Sequence, residues 1–282
     1  MTTTSAPATA ARTAHPLRVL MCAPEHFTVS YEINPWMDAA TPVDVQRARA
    51  QWDGLRAVFE RLGHAVEVVP AVPGLPDMVY AANGALVTPQ GSVGVRFLHP
   101  ERAGEAEAYA RWLEQHGLGP VHRPVHVNEG EGDLLVVGEH LLGGHGFRTG
   151  EAAHREVEEV LGRPVTSLRL VDPRFYHLDT ALTVLDDDPE HPDVAYFPGA
   201  FDEASRRTLE ELFPHALLTD DATAEVLGMN AVSDGLHVVL SPRAQRYAQQ
   251  LEQRGYVPVP VDLSELLRGG GGAKCCTLVL RR

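Results

Sequence analysis

The chain reads as an α/β protein: a five-bladed, pseudo-symmetric α/β propeller of hairpin–helix–strand units. Three observations predict this. A hairpin, a helix and a strand recur every 50 residues or so, a period that signals a propeller or an array. The last unit is complete only if the two ends of the chain share it. Polar, chemically capable residues occupy the same place in each unit, at the start of the hairpin.

Taken in order, residues 17–22 (LRVLMC) read as a buried strand and 31–37 as a loop bounded by Pro35. The spacing of Val45, Trp52, Leu55, Val58, Phe59 and Leu62 predicts a helix over 43–62, stopped by Gly63. Residues 65–69 form a strand. The first full unit is a hairpin over 78–97 turning at Pro89-Gln90-Gly91, a helix over 105–116 and a strand over 121–127. The second has its hairpin over 133–147, helix over 151–161 and strand over 165–171. In the third these fall at 178–197, 202–213 and 216–219, and in the fourth at 231–240, 242–254 and 257–261. The fifth joins 275–280 to the strand at Leu17 and to the helix and strand of 43–69. A ring closed in this way is expected to leave no free sheet edges, with helices outside and the hairpin starts gathered on its axis.

Composition narrows the function classes. At 282 residues the length allows one or two domains, and the units predict a single propeller domain over 17–282 behind a disordered tail over 1–16. That tail lacks the apolar block of a signal peptide, and no apolar run is long enough to span a membrane. The formal net charge of -14 argues against a nucleic-acid partner and favours a cationic small molecule. Cys22, Cys275 and Cys276 make neither a disulfide framework nor a zinc spacing, so a reduced, cytoplasmic protein without metal or cofactor is expected. Oligomeric state is left open.

The hairpin starts carry the chemistry. They are Tyr80-Ala81-Ala82-Asn83-Gly84, Asn128-Glu129-Gly130-Glu131-Gly132-Asp133, Tyr176-His177-Leu178-Asp179-Thr180, Gly228-Met229-Asn230 and Lys274-Cys275-Cys276. Four glycines, Gly269 to Gly272, lead into the cysteines; such a run permits φ > 0 and close approach to a ligand, though it lacks the Lys-Ser/Thr of a phosphate loop. His177 and Asp179, two apart on a strand, are expected to share a face. A plain structural role competes for each: free cysteines are commonly buried, a histidine is often only hydrogen-bonded, and 129–133 suits an ordinary acidic turn. Convergence from five units favours function. The acidic run Asp186 to Asp188, at a hairpin tip, is read as a solvated turn. Asn34 and Arg148 are weaker ligand candidates, Arg148 for a carboxylate.

A Cys–His pair with carboxylates points to nucleophilic catalysis. Paired carboxylates suit a planar cation such as guanidinium and keep it protonated. Cys275 then attacks the guanidinium carbon, and His177 protonates the departing amine and later activates water. In these residues the chain resembles the guanidine-modifying superfamily of amidinotransferases, dimethylargininases and arginine dihydrolases. The resemblance runs from Leu17 onward, through 31–37, 77–83, 129–133, His177-Leu178-Asp179, 230–235 and the glycine run. It implies a five-bladed propeller, a nucleophile followed by one residue and then Thr or Ser (which selects Cys275 over Cys276), catalytic roles for Cys275, His177 and Glu129, and a substrate held by Glu129, Asp179, Asn83, Arg148, Asn34 and Asp133. Asn83 departs from the Asp of dimethylargininases; an amide suits a neutral ureido group and resembles the dihydrolases, which take arginine through citrulline to ornithine. The expected function is Cys-dependent hydrolysis of arginine or Nω-methylated arginine. Amidino transfer to an amine and a catalytically silent binder of cationic amino acids are the alternatives.

Overall fold

The computed structural model describes residues 12–281. Five separate three-stranded sheets are laid out as the repeat predicts. The first unit holds β3 (Leu86–Thr88), β4 (Gly91–Val93) and β5 (Val121–His122), and the second β6 (Leu134–Val137), β7 (His140–His145) and β8 (Val165–Arg169). The third holds β9 (Leu182–Asp186), β10 (Asp193–Tyr196) and β11 (Leu217–Leu218), and the fourth β12 (Val232–Ser233), β13 (His237–Leu240) and β14 (Val257–Pro260). The fifth takes β15 (Leu278–Val279) from the C-terminal end and β1 (Arg18–Cys22) and β2 (Ala65–Val69) from the N-terminal end. In every sheet the first two strands are antiparallel and the last two parallel. A parallel pair needs a crossover. These are α1 (Val45–Arg61), α2 (Glu105–Gln115), α3 (Glu151–Leu161), α5 (Glu203–Leu212) and α7 (Gln245–Gln253).

Local chemistry sets the helix ends. Asp44 caps α1 by accepting from the Arg47 N–H at 3.0 Å, and Asp202 caps α5 through the Ser205 N–H at 2.8 Å; each cap contributes about 1 kcal/mol. After α1 the chain reverses through Gly63 at φ 87°. The inward face of α1 buries Ala48, Trp52, Leu55 and Phe59, at about 1.5–3 kcal/mol for each large side chain. The core clusters bridge neighbouring blades. Leu20 and Cys22 of the fifth blade pack with Val87 and Tyr109 of the first, and Leu185 and Ala195 of the third with Val238, Leu240 and Tyr247 of the fourth.

Three expectations change. The ring is not one continuous ladder: each sheet keeps its own edges, and blades meet through packing and isolated bridges such as Val87 with Leu280. The hairpins start later than their apolar patterning suggests. Short helical turns take their place at Pro76–Val79, Ala81–Gly84, Gly130–Gly132 and α4 (Leu178–Ala181). The strand expected over 121–127 stops at His122, because Pro124 has no N–H to extend the ladder. A further turn of helix, α6 (Asp221–Ala224), was not anticipated.

Of the tail expected over 1–16, residues 1–11 lie outside the described residues. Arg12 is described: it stacks 3.5 Å from the Tyr256 ring centroid and donates to Asp193 at 2.9 Å, and the His15 N–H donates to the Asp234 carbonyl at 2.7 Å. Asp186, read as part of a solvated turn, is half-buried and lies 3.8 Å from Arg12. Among the described residues, no helix is long and apolar enough to cross a membrane.

Closure of the ring is fastened by Glu131. Its carboxylate accepts from Lys274 Nζ at 2.8 Å, from the Val279 N–H at 3.1 Å and from Arg281 Nη1, joining the second blade to the terminal strand. Burial raises its carboxyl, but the two cations outweigh that and hold it below its usual range. Glu131→Gln leaves a buried ammonium without its counter-ion, so we expect a loss of about 3–5 kcal/mol in urea unfolding. A loss under about 1 kcal/mol would contradict this role for Glu131.

Candidate active site

Helical turns, not strands, present the polar residues. His177 precedes α4 in extended conformation and Asp179 lies inside it, so strand alternation does not set their directions. The turn gives them different partners. His177 Nε2 lies 2.7 Å from Glu129 Oε2, whereas Asp179 Oδ2 lies 3.3 Å from Cys275 Sγ. Asp133 fixes this turn: its Oδ1 accepts from the Leu178 N–H at 3.0 Å and its Oδ2 from the Thr149 N–H at 3.2 Å. Both oxygens are thus committed to backbone, a supporting position rather than the ligand position expected for Asp133.

Glu129 is fully buried and accepts from Arg148 Nη1 at 2.9 Å, from the Leu98 N–H at 3.2 Å and from His177. Burial alone would raise its carboxyl; the His177 hydrogen bond and the Arg148 charge more than reverse that, holding it far below the usual carboxylate range. An ionised carboxylate only accepts, so the proton of this contact sits on His177 Nε2. Nδ1 is then the nitrogen free for proton transfer. It is buried, with no hydrogen-bond partner among the described residues. Space beside it depends on Gly132: a Cβ there would lie 3.2 Å from Nδ1 and 2.2 Å from Asn83 Nδ2.

Asn83 donates from Nδ2 to the Glu129 carbonyl at 3.2 Å, and its Oδ1 accepts from Arg102 Nη1 at 3.0 Å. Arg102, buried over the Phe97 ring, also grips Glu105 in bidentate fashion at 2.9 and 2.8 Å. Asp77 accepts from Tyr31 Oη at 3.0 Å through Oδ2, while its Oδ1 is buried with no partner among the described residues. Arg102 gave no signal in the sequence. Asp77 and Asn230 stood inside recognised stretches without a role.

Cys275 is 1% exposed. Burial first, then the neighbouring Asp179, push its thiol well above the usual range, while a hydrogen bond from Asn230 Nδ2 at 3.1 Å pulls the other way. Burial likewise raises Asp179, to about 6, with His177 and Lys274 opposing. Cys276 is buried in an apolar cluster that includes Val19, Met21 and Trp52, and its sulfur makes no hydrogen bond among the described residues. The glycine run serves close packing more than flexibility. Only Gly270 has positive φ (98°), and a Cβ at Gly271 would lie 2.5 Å from the Tyr80 ring and 2.7 Å from Cys275 Cβ.

The loop of 23–44 is tied across this cluster. Arg148 Nη2 donates to the Ile33 carbonyl at 2.7 Å, and Asn34 Nδ2 donates to the Gly269 carbonyl at 3.1 Å. The structure thus gathers Cys275, His177, Glu129, Asp179, Asn83 and Arg148 with Asp133 beneath them, and places Asn34 on the covering loop.

A thiol among buried carboxylates, an imidazole and buried guanidinium groups, all on a five-bladed α/β ring, are the groups on which the resemblance to the guanidine-modifying superfamily rests. No family model matches the chain. It is 55% identical over 95% of its length to the N(G),N(G)-dimethylarginine dimethylaminohydrolase of Mycobacterium tuberculosis, covering 87% of that protein. It is 35% identical, over 93% of its length, to a bifunctional arginine dihydrolase/ornithine cyclodeaminase of Synechocystis, of which it spans only 37%. Among solved structures it matches the substrate-bound N-terminal domain of a cyanobacterial arginine dihydrolase, with a TM-score of 0.88 and 33% identity over 94% of this chain and 98% of that one. The chain belongs to the guanidino-modifying, amidinotransferase-like superfamily.

The two adjacent cysteines separate the roles. Cys275→Ser is expected to lower turnover of a guanidino substrate by at least about 10³-fold, whereas Cys276→Ala keeps most of it. Steady-state rates of the two purified variants check this; equal, mild losses would contradict the assignment.

Proposed function

We propose that the protein hydrolyses the guanidino C–N bond of arginine or an Nω-methylated arginine through a covalent thiouronium adduct on Cys275. The observation that carries the reading is a set of buried polar atoms in one cluster that have no partner among the described residues: Asp77 Oδ1, Asp179 Oδ1 and His177 Nδ1. Buried polar atoms are nearly always hydrogen-bonded. A guanidinium ion supplies planar N–H donors for carboxylate oxygens. Arg148 Nη2, otherwise held by the Ile33 carbonyl, suits the substrate's α-carboxylate once that loop lifts.

In this reading the cation settles against Asp179 and stabilises its ionised form. The Cys275 thiol gives its proton to His177 Nδ1, and the thiolate attacks the guanidinium carbon. His177 protonates the amine as the C–N bond breaks, leaving a thiouronium. The nitrogen has by then left as ammonia or a methylamine; water, deprotonated by His177, attacks the same carbon and expels the thiolate, which frees citrulline. The enzyme relatives point to water rather than an amine as acceptor: one is named a dimethylaminohydrolase and another an arginine dihydrolase. A silent binding protein would have no need of the nucleophile and the base together.

One observation favours a second step. The Asn83 amide, oriented by Arg102, is neutral where a carboxylate would meet a citrulline ureido group as an unpaired charge. In the second reading citrulline is attacked in turn and gives ornithine, ammonia and carbon dioxide.

Incubation with arginine, with asymmetric dimethylarginine and with citrulline, followed by product identification, tests both readings. Citrulline with ammonia or dimethylamine is the expected minimum, and ornithine from citrulline supports the second step. A transferred amidino group, or no turnover of any of the three, would overturn the proposal.

The raised Asp179 carboxyl gives a pH signature. Below about pH 6 it is protonated and neutral, so its attraction for the cation is lost as pH falls. KM for arginine should therefore rise tenfold per unit well below that point. In Asp179→Asn, KM should be high throughout and lack this limb; a limb that survives the substitution would assign it elsewhere.

A further inference from the structure

Asn230 lies outside the catalytic set argued above, yet its amide meets the reacting sulfur. It stands between α6 and β12, 2% exposed, after a turn in which Leu227 adopts φ 49°. A leucine seldom takes positive φ, so surrounding packing must hold it there. The Gly228 N–H donates to the Thr223 carbonyl at 3.0 Å and the Asn230 N–H to the Leu227 carbonyl at 3.0 Å, which fixes where the side chain starts.

All four hydrogen-bonding capacities of that side chain are used. Oδ1 accepts from the Gly272 N–H at 2.8 Å and from the Cys275 N–H at 3.1 Å. Nδ2 donates to the Asp179 carbonyl at 3.0 Å and to Cys275 Sγ at 3.1 Å. One amide therefore ties the fourth blade to the cysteine loop of the fifth and to the helical turn of the third. The bond to sulfur also has a chemical sense: an N–H donor stabilises a thiolate more than a thiol.

We propose that Asn230 is a positioning residue that clamps the Gly272–Cys275 loop onto Asp179 and, by its Nδ2 hydrogen bond, favours the thiolate of Cys275. This rests on the reading of Cys275 as nucleophile. The ionisable groups facing the sulfur are Asp179 of α4, the adjacent Cys276, and the phenols of Tyr80 and Tyr176; His177 and Lys274 act on it through Asp179. Asp179 and Cys276 both oppose ionisation, and among the described residues Asn230 supplies the hydrogen bond that favours it.

Two substitutions separate clamp from donor. Asn230→Asp keeps an oxygen for the two backbone N–H groups but removes the donor and adds a charge. Asn230→Ala removes both functions without adding charge. The readout is the rate of iodoacetamide alkylation of Cys275 against pH, located by peptide mass, together with the pH profile of kcat/KM. In the Asp variant the alkylation midpoint should rise by at least one unit and kcat/KM at pH 7 fall by at least 100-fold. In the Ala variant the midpoint should rise by a smaller amount. If the Asp variant does not fold, the Ala variant decides. A wild-type alkylation profile in a folded variant overturns the proposal. Full turnover by Cys275→Ser would instead overturn the nucleophile itself, so the two failures are distinguishable.

Discussion

The arrangement depends on one short pairing between the ends of the chain. β15 meets β1 antiparallel with Val279 opposite Val19 and Leu278 opposite Leu20. Cys275 stands three residues before that pair, so its place in the cluster is set by this register. A slip of one residue would turn every side chain of β15 to the other face. Glu131 reinforces the pairing from another blade, accepting the Val279 N–H while neutralising Lys274 next to Cys275. Covalent neighbours of Cys275 thus serve the fold, and its side chain is left for chemistry.

Two buried carboxylates in one cluster are driven in opposite directions. Glu129, between His177 and Arg148, is held ionised, whereas Asp179, with a thiol for its partner, is raised to about 6. Similar groups thereby take different positions: one orients the imidazole through its hydrogen bond, and the other faces the Cys275 sulfur. Divergence of this kind commonly marks acid–base machinery. Burial and the neighbouring Asp179 together keep the proton on the Cys275 thiol.

Much of this was legible in the sequence because it rests on periodicity. The five helices follow their apolar spacing to within a few residues, and α3 (Glu151–Leu161) agrees at both ends. The split fifth blade followed from counting units. The hairpin starts were misread because a single helical turn has no period to detect, and apolar residues such as Met78 and Leu178 look alike in a turn and in a strand. His177 and Asp179 were therefore placed in the right cluster by the wrong local geometry. Arg102 and Asn230 could not be found this way: Arg102 bonds Asn83 and Glu105 of its own blade, but a buried arginine carries no local mark, and the partners of Asn230 lie in other blades. Asp133 was legible as important but not as a support, since its bonds to the Leu178 and Thr149 N–H groups appear only once the blades are packed.

The central claim is that groups from separate blades act together on a guanidino carbon bonded, for part of the cycle, to the sulfur of Cys275. Acid quenching during steady-state turnover of arginine, followed by peptide mass mapping, tests this most directly. The account predicts an adduct on the Cys275 peptide with the mass of the substrate less one ammonia. An adduct on another residue, or continued product formation by enzyme whose Cys275 is wholly alkylated, would contradict it.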